Sequence, residues 1–217
     1  AKGVFVFDFG QNIAGVCRLK VRGRRGQKIT LRFAEMLKAD SNVYRENLRQ
    51  ARATDTYICR GGGVEEWTPR FTFHGFRYVE VTGLEKRPEP SLLTAVVLQT
   101  DLRPTGSFRC SHTLLNRLNR NIRWGLRGNF LDVPTDCPQR DERLGWTGDA
   151  QVFIGTAAFH YDVRTFFRKW LQDLRDGQRL DGAYPDVAPD VLGRLGPWQF
   201  GNAAWADAGV ICPWRIY

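Results

Sequence analysis

The hydrophobic period changes once along this 217-residue chain, and that change limits the folds open to it. Before about residue 100, apolar residues fall in short alternating or β-branched runs. Beyond about residue 108 they return every three or four positions. The first pattern suits half-buried strands and the second suits helices with one apolar face. The change falls within residues 101–106, where Pro104 interrupts the chain. We therefore expect an antiparallel β-sandwich over residues 1–103 and a helical unit over residues 104–217.

The first part divides at turn signals. Val4 and Val6, with Phe5, Phe7 and Phe9, make one short strand that Gly10 should end. Val16, Leu19 and Val21 alternate with Arg18 and Lys20, and residues 29–33 alternate again. The glycine-bounded turn at residues 23–26 makes these two runs read as a hairpin. Further strands are expected at residues 57–59, 67–73, 76–81 and 92–99, a spacing that suits a sandwich. Residues 38–54 are polar and irregular, the kind of long excursion that is often functional or mobile.

In the second part, Ser111 is placed to cap a helix carrying Leu114, Leu115, Leu118, Ile122 and Leu126 on one face and ending near Gly128. Residues 150–159 are apolar on nearly all sides, which predicts a buried helix started by Thr147 or Asp149. Residues 163–178 put Phe166, Phe167, Trp170, Leu171 and Leu174 on one face. Residues 180–201, rich in Gly, Pro and Asp, read as loop, and residues 203–210 can begin another helix. An almost wholly apolar helix beside an amphipathic one fits an inner and an outer ring.

Composition removes several classes of function. The net charge of +9 invites a nucleic-acid reading. The arginines are scattered, however, and no basic helix face or RNP-type aromatic motif gathers them, so no nucleic-acid partner is expected. No apolar run reaches the ~18 residues of a membrane span. The N-terminus has neither a long apolar segment nor a cleavage pattern, which leans slightly towards the cytoplasm. Both ends read as cut from a longer chain. The cysteines, Cys17, Cys59, Cys110, Cys137 and Cys212, are five in number and form no CxxC pair. Neither a zinc site nor a disulfide framework is expected, and buried free thiols are the default. No Rossmann or P-loop glycine pattern is present, so no cofactor is expected.

The stretch at residues 131–150, LDVPTDCPQRDERLGWTGDA, holds five carboxylates among Arg140, Arg143 and Trp146. Pro134 and Pro138 prevent a helix, and Gly145 and Gly148 break the chain again. Leu131, Val133, Leu144 and Trp146 should pack it down. Carboxylates held on a packed irregular loop suit an active site, although a salt-bridged surface loop uses the same residue types. Cys137 lies inside the stretch. As a nucleophile it would need a base, and none of His74, His112 and His160 is near it in sequence.

The run DCPQRDERLGWTGD, with the upstream DFGQNIAG and FTFHGFRYVEV, resembles the bacterial α-L-rhamnosidases, an inverting glycoside hydrolase family. The resemblance runs from about Val4 to the last residue. It implies an (α/α)₆-barrel catalytic domain preceded by β-sandwich domains. Twelve helices of ~11 residues do not fit in residues 104–217, so only the start of such a barrel is expected here. The resemblance places Glu142 as general acid, and Asp136, Arg140 and Asp149 as residues that grip rhamnose hydroxyls. Trp146 offers an apolar face for the sugar ring or its C6 methyl group. A further substrate-contacting tryptophan is implied within WQFGNAAWADAG. Trp205 with Asp207 is favoured there, and Trp198 competes.

The chemistry is coherent. Glycoside hydrolysis needs a protonated carboxylic acid for the leaving oxygen and a carboxylate to activate water. Carboxylates and guanidinium groups hold vicinal hydroxyls through charge-assisted hydrogen bonds. The family's general base is a Glu well downstream, and no Glu follows Glu142 in this sequence. The resemblance implies rhamnose-containing glycosides as substrates. A non-catalytic carbohydrate-binding protein, or another hydrolase or lyase on an α/α toroid, remain the alternatives.

Overall fold

The structure, a computed structural model, describes residues 3–193 and 200–217. The chain forms two compact units. One comprises Ala1–Gln99 with Cys137–Asp141, and the other comprises Thr100–Asp136 with Glu142–Tyr217.

The first unit is antiparallel and sandwich-like. Its strands are β1 (Val4–Arg22), β2 (Lys28–Ala34), β3 (Met36–Leu37), β4 (Val43–Tyr44), β5 (Thr54–Ile58), β6 (Val64–Trp67), β7 (His74–Thr82) and β8 (Leu93–Val97). Six of them make one sheet in the order β5-β2-β7-β1-β6, with β8 also paired to β1. The short β3–β4 ladder packs on β2 and β7. Ile29, Leu31, Phe33, Phe76, Val79 and Val81 are fully buried at its centre. Gly15 sits where β8 crosses closely, and a Cβ there would lie 2.1 Å from the Val96 carbonyl oxygen.

Three sequence expectations change here. Gly10 does not end a strand. It takes a left-handed φ of +74°, its N–H donates to Asp8 Oδ1 (2.8 Å), and β1 continues through a register shift between Asp8 and Ile13. This behaves as a glycine-based bulge, which bends a strand without breaking it. The turn at residues 23–26 does not close a hairpin either, because β7 pairs with both β1 and β2 and lies between them. With residues buried on both of its faces, β7 suits a central position better than either runner of the presumed hairpin. Finally, the strand expected at 67–73 ends at Trp67, and Phe71 is exposed with a φ of +60°.

The second unit contains α1 (Thr113–Asn129), the two-residue strands β9 (Phe130–Leu131) and β10 (Val133–Pro134), α2 (Thr147–His160), α3 (Arg164–Asp176) and α4 (Ala208–Ile216). Its core joins Leu126, Phe130, Ile154, Phe167, Trp170 and Leu174. Trp170 is fully buried, and its indole N–H donates to the Ala188 carbonyl (3.0 Å). Ser111 does not cap α1. His112 holds that position without a side-chain bond, and Asn116 instead ties back to both backbone groups of Cys110. Residues 203–207 form turns, so the last helix begins at Ala208.

The helix over 147–160 is not buried all round. Ala150, Ile154, Ala157 and His160 face the core, whereas Val152 and Phe159 are 83% and 61% exposed. Leu114, Leu115 and Leu118 on α1 are also exposed. The apolar composition is real, but among the described residues only one side of the helix has anything to pack against.

Candidate active site

The acidic stretch is shaped by its backbone. β9 and β10 turn the chain back, and the N–H and hydroxyl of Thr135 both donate to the Asn129 carbonyl at 2.8 Å. Asp136 and Leu144 then close a loop between them. The Asp136 N–H donates to the Leu144 carbonyl (3.1 Å), and the Leu144 N–H returns to Asp136 Oδ1 (2.9 Å). Arg143 takes a φ of +59°, a conformation that costs a non-glycine residue free energy and that clusters at functional sites. Beside this turn Glu142 is half-buried, and the Trp146 indole N–H donates to its Oε1 (3.0 Å). A carboxylate oxygen of Asp136 and one of Glu142 lie within 4.8 Å of each other.

The start of α2 is equally constrained. Thr147 is fully buried, and its N–H and hydroxyl both donate to the Asp186 carbonyl at 2.9 Å. A Cβ on Gly145 would lie 2.1 Å from the Ala188 carbonyl oxygen, so only glycine passes there. Asp149 stands in the first turn of α2, where the helix dipole favours negative charge. A cleft of about 580 Å³ is lined by Asp136, Asp149 and Asn129 together with Ile122, Phe130 and Phe153. It sets two carboxylates against an apolar wall.

The sequence-predicted residues thus fall into groups. Asp136 and Asp149 line one cleft. Glu142 and Trp146 form a hydrogen-bonded pair, and Asp136 belongs to the loop that carries them. Trp205 is 39% exposed, with its indole nitrogen 3.1 Å from the point where a Cβ on Gly148 would stand. Asp207 holds the turn that leads into α4. Its Oδ2 accepts from the Ala204 N–H (2.9 Å), and its carbonyl accepts from Val210 and Ile211 as the helix begins. Arg140 is half-buried within the first unit. Cys137 is buried and free. Trp198 lies outside the described residues.

The sequence reading passed over Asp186. It is 5% exposed, its Oδ2 accepts from Asn202 Nδ2 (2.6 Å), and its Oδ1 is buried without a hydrogen-bond partner. Burial pushes its carboxyl above the usual carboxylate range, against the opposing pull of the Asn202 bond. The signal was present: Asp186 is the one charged residue in the run Tyr184-Pro185-Asp186-Val187-Ala188-Pro189.

The helical unit thus carries a pair of nearby carboxylates on an irregular loop, in a chain that also carries an antiparallel β unit. Residues 103–217 match the bacterial α-L-rhamnosidase six-hairpin glycosidase domain, and residues 1–99 match the bacterial α-L-rhamnosidase concanavalin-like domain. The chain belongs to the bacterial α-L-rhamnosidase family, a family of glycosidases. It is 54% identical over 215 residues to an α-L-rhamnosidase of Streptomyces avermitilis, covering 99% of this chain and 20% of that protein. It is 49% identical over 216 residues to an α-L-rhamnosidase of Formosa agariphila, covering 98% and 23%. Its fold matches the crystal structure of Streptomyces avermitilis α-L-rhamnosidase complexed with L-rhamnose, with a TM-score of 0.95 and 52% identity over all of this chain and 21% of that one. It also matches α-L-rhamnosidase from Dictyoglumus thermophilum, with a TM-score of 0.94 and 42% identity over all of this chain and 24% of that one. The chain therefore spans about a fifth of the length of the relatives it matches.

Proposed function

We propose that these residues supply the general-acid half of an α-L-rhamnosidase site that releases terminal α-linked rhamnose with inversion. Glu142 is the acid. The observation that carries this reading is the 3.0 Å hydrogen bond from the Trp146 indole to Glu142 Oε1. An indole N–H can only donate, so Glu142 Oε1 is held as its acceptor. The carboxyl is thereby oriented before substrate arrives. Asp136, Arg140 and Asp149 bind sugar hydroxyls, Trp146 and Trp205 give the ring apolar faces, and Asp207 supports Trp205.

Asp136 is not the base in this scheme. Inverting pairs are about 6.5–9.5 Å apart to admit a water, and Asp136 stands closer to Glu142 than that. No Glu follows Glu142 in these 217 residues, so the base of this scheme is not a Glu among the residues after it, and the two domains are 1–103 and 104–217.

The reading is tested in a protein that carries this segment within a chain of its relatives' length. Released rhamnose is followed by proton NMR as it forms. Inversion delivers the β anomer first. Appearance of the α anomer first would make Asp136 a nucleophile, and rhamnoside binding without turnover would favour a carbohydrate-binding protein.

A further inference from the structure

Within the second unit, a strip of chain at residues 184–188 holds two parts of the candidate site. The first is the segment that follows the acid. Val187 forms an antiparallel bridge with Trp146, and the Ala188 N–H donates to the Gly145 carbonyl (2.9 Å). The Asp186 carbonyl accepts from the N–H and the hydroxyl of Thr147, the first residue of α2. The second part is the turn that carries Trp205. Pro185 bridges Phe200, and the Gly201 N–H donates to the Tyr184 carbonyl (2.9 Å). The Asp186 side chain is committed to the same turn, where its Oδ2 accepts from Asn202 Nδ2 at 2.6 Å.

Asp186 therefore serves the two parts with different atoms, its backbone for α2 and its carboxylate for the turn. Asn202 anchors that turn, because its carbonyl accepts from the N–H groups of Trp205 (3.1 Å) and Ala206 (2.9 Å). The turn lies against α2. The Gln151 side-chain amide donates to the Ala204 carbonyl, and the Trp205 indole stands over Gly148, where a Cβ would come within 3.1 Å of its nitrogen. Gly148 lines the same cleft as Asp149. Asn202 and Trp205 are exposed, whereas Asp186 is buried. A charge-assisted hydrogen bond to a carboxylate shielded from water gives such a turn a fixed point.

We propose that Asp186 is a positioning residue for sugar binding: its carboxylate, acting through Asn202, sets the Trp205 indole at the cleft that Asp149 lines. It touches no sugar itself. The proposal rests on the reading of Trp205 as a sugar contact. Removing the carboxylate leaves the Asp186 carbonyl, and with it the bonds to Thr147, in place. The effect should therefore fall on binding and not on proton delivery by Glu142.

The test is steady-state kinetics on a natural rhamnoside in a chain of its relatives' length, with Tm measured for every variant. Asp186→Ala should raise KM about tenfold, the worth of one hydrogen bond to a charged group, with kcat nearly unchanged. Asp186→Asn keeps an oxygen that can accept from Asn202 and should restore most of the KM. Asn202→Ala, at an exposed position that folding can spare, should raise KM severalfold. Combining it with Asp186→Ala should raise KM no further, because both remove one interaction. Trp205→Ala should raise KM at least as much as Asp186→Ala. A raised KM in Trp205→Ala, with KM unchanged in Asp186→Ala and Asn202→Ala, would overturn the proposal and leave the reading of Trp205 standing. An unchanged KM in all three would overturn both. A loss in kcat as large as the change in KM, or an Asp186→Asn variant as impaired as Asp186→Ala, would mean a general structural role and would also overturn it. If Asp186→Ala does not fold, the Asn202→Ala result decides.

Discussion

At the scale of residues, the tie between Trp146 and Glu142 carries most of the functional argument. Trp146→Phe keeps an aromatic face and removes the N–H. If the indole orients the acid, kcat should fall by about tenfold or more, the worth of a hydrogen bond to a charged or polarised group, with KM nearly unchanged. Steady-state kinetics on a natural rhamnoside would check it. A rise in KM alone would mean that Trp146 serves the sugar ring and not the acid. Glu65 gives a second prediction, on stability. It accepts from the Tyr57 hydroxyl (2.6 Å) and from the N–H groups of Arg60 (2.9 Å) and Gly61 (3.0 Å), and these bonds lower its pKa to about 2. A depressed carboxylate stabilises the fold above its unfolded pKa of about 4.5, and that contribution is lost as pH falls towards 2. Urea unfolding of the 217-residue chain at pH 7, 4 and 2.5 should show Glu65→Gln less stable at pH 7, with the difference shrinking on acidification. A difference independent of pH would contradict the assignment.

At the scale of elements, the sequence was most legible where one face is buried and least where pairing is long-range. The helix face of Phe166, Phe167, Trp170 and Leu174 was visible in its spacing, and all four are buried. Residues 29–33 and 76–81 likewise read correctly as strands. What spacing could not reveal is that β7 inserts between β1 and β2, because neighbours in sequence are not always neighbours in a sheet. Nor could it show that Gly10 bends β1, since a glycine that ends a strand and one that makes a bulge look alike in sequence. In the candidate site, the acidic loop was legible as a motif. The Asp136–Leu144 closure was not, because it depends on backbone groups that every residue carries. Gly145 tests the packing of that loop. Gly145→Ala drives a methyl into the Ala188 carbonyl, a contact with backbone that cannot swing away. It should cost about 1–3 kcal/mol and shift the urea midpoint downwards. An unchanged midpoint would mean that residues 185–188 can move freely away from the loop.

At the scale of the whole molecule, the change of hydrophobic period announced β structure followed by helices, and the chain has both; the family models match residues 1–99 and 103–217. The exposed Leu114, Leu118, Val152 and Phe159 were not foreseen, because composition reports that a surface wants burial and not whether anything in the chain supplies it. Catalysis follows the same logic. In the proposed inverting scheme a single acid cannot complete hydrolysis, so on that proposal the 217 residues alone should release no measurable rhamnose from an aryl rhamnoside. Robust turnover would place the second carboxylate inside them.

The most direct test of the central claim is the leaving-group dependence of Glu142→Gln in a chain of its relatives' length. Gln keeps the size and can still accept from Trp146, but it has no proton to deliver. With a natural rhamnoside, kcat should fall by roughly 10²–10⁴-fold, the scale of general-acid assistance. With an activated aryl rhamnoside, whose leaving group needs little protonation, it should fall far less. Equal losses on both substrates, or full activity on both, would contradict the assignment of Glu142 as the acid.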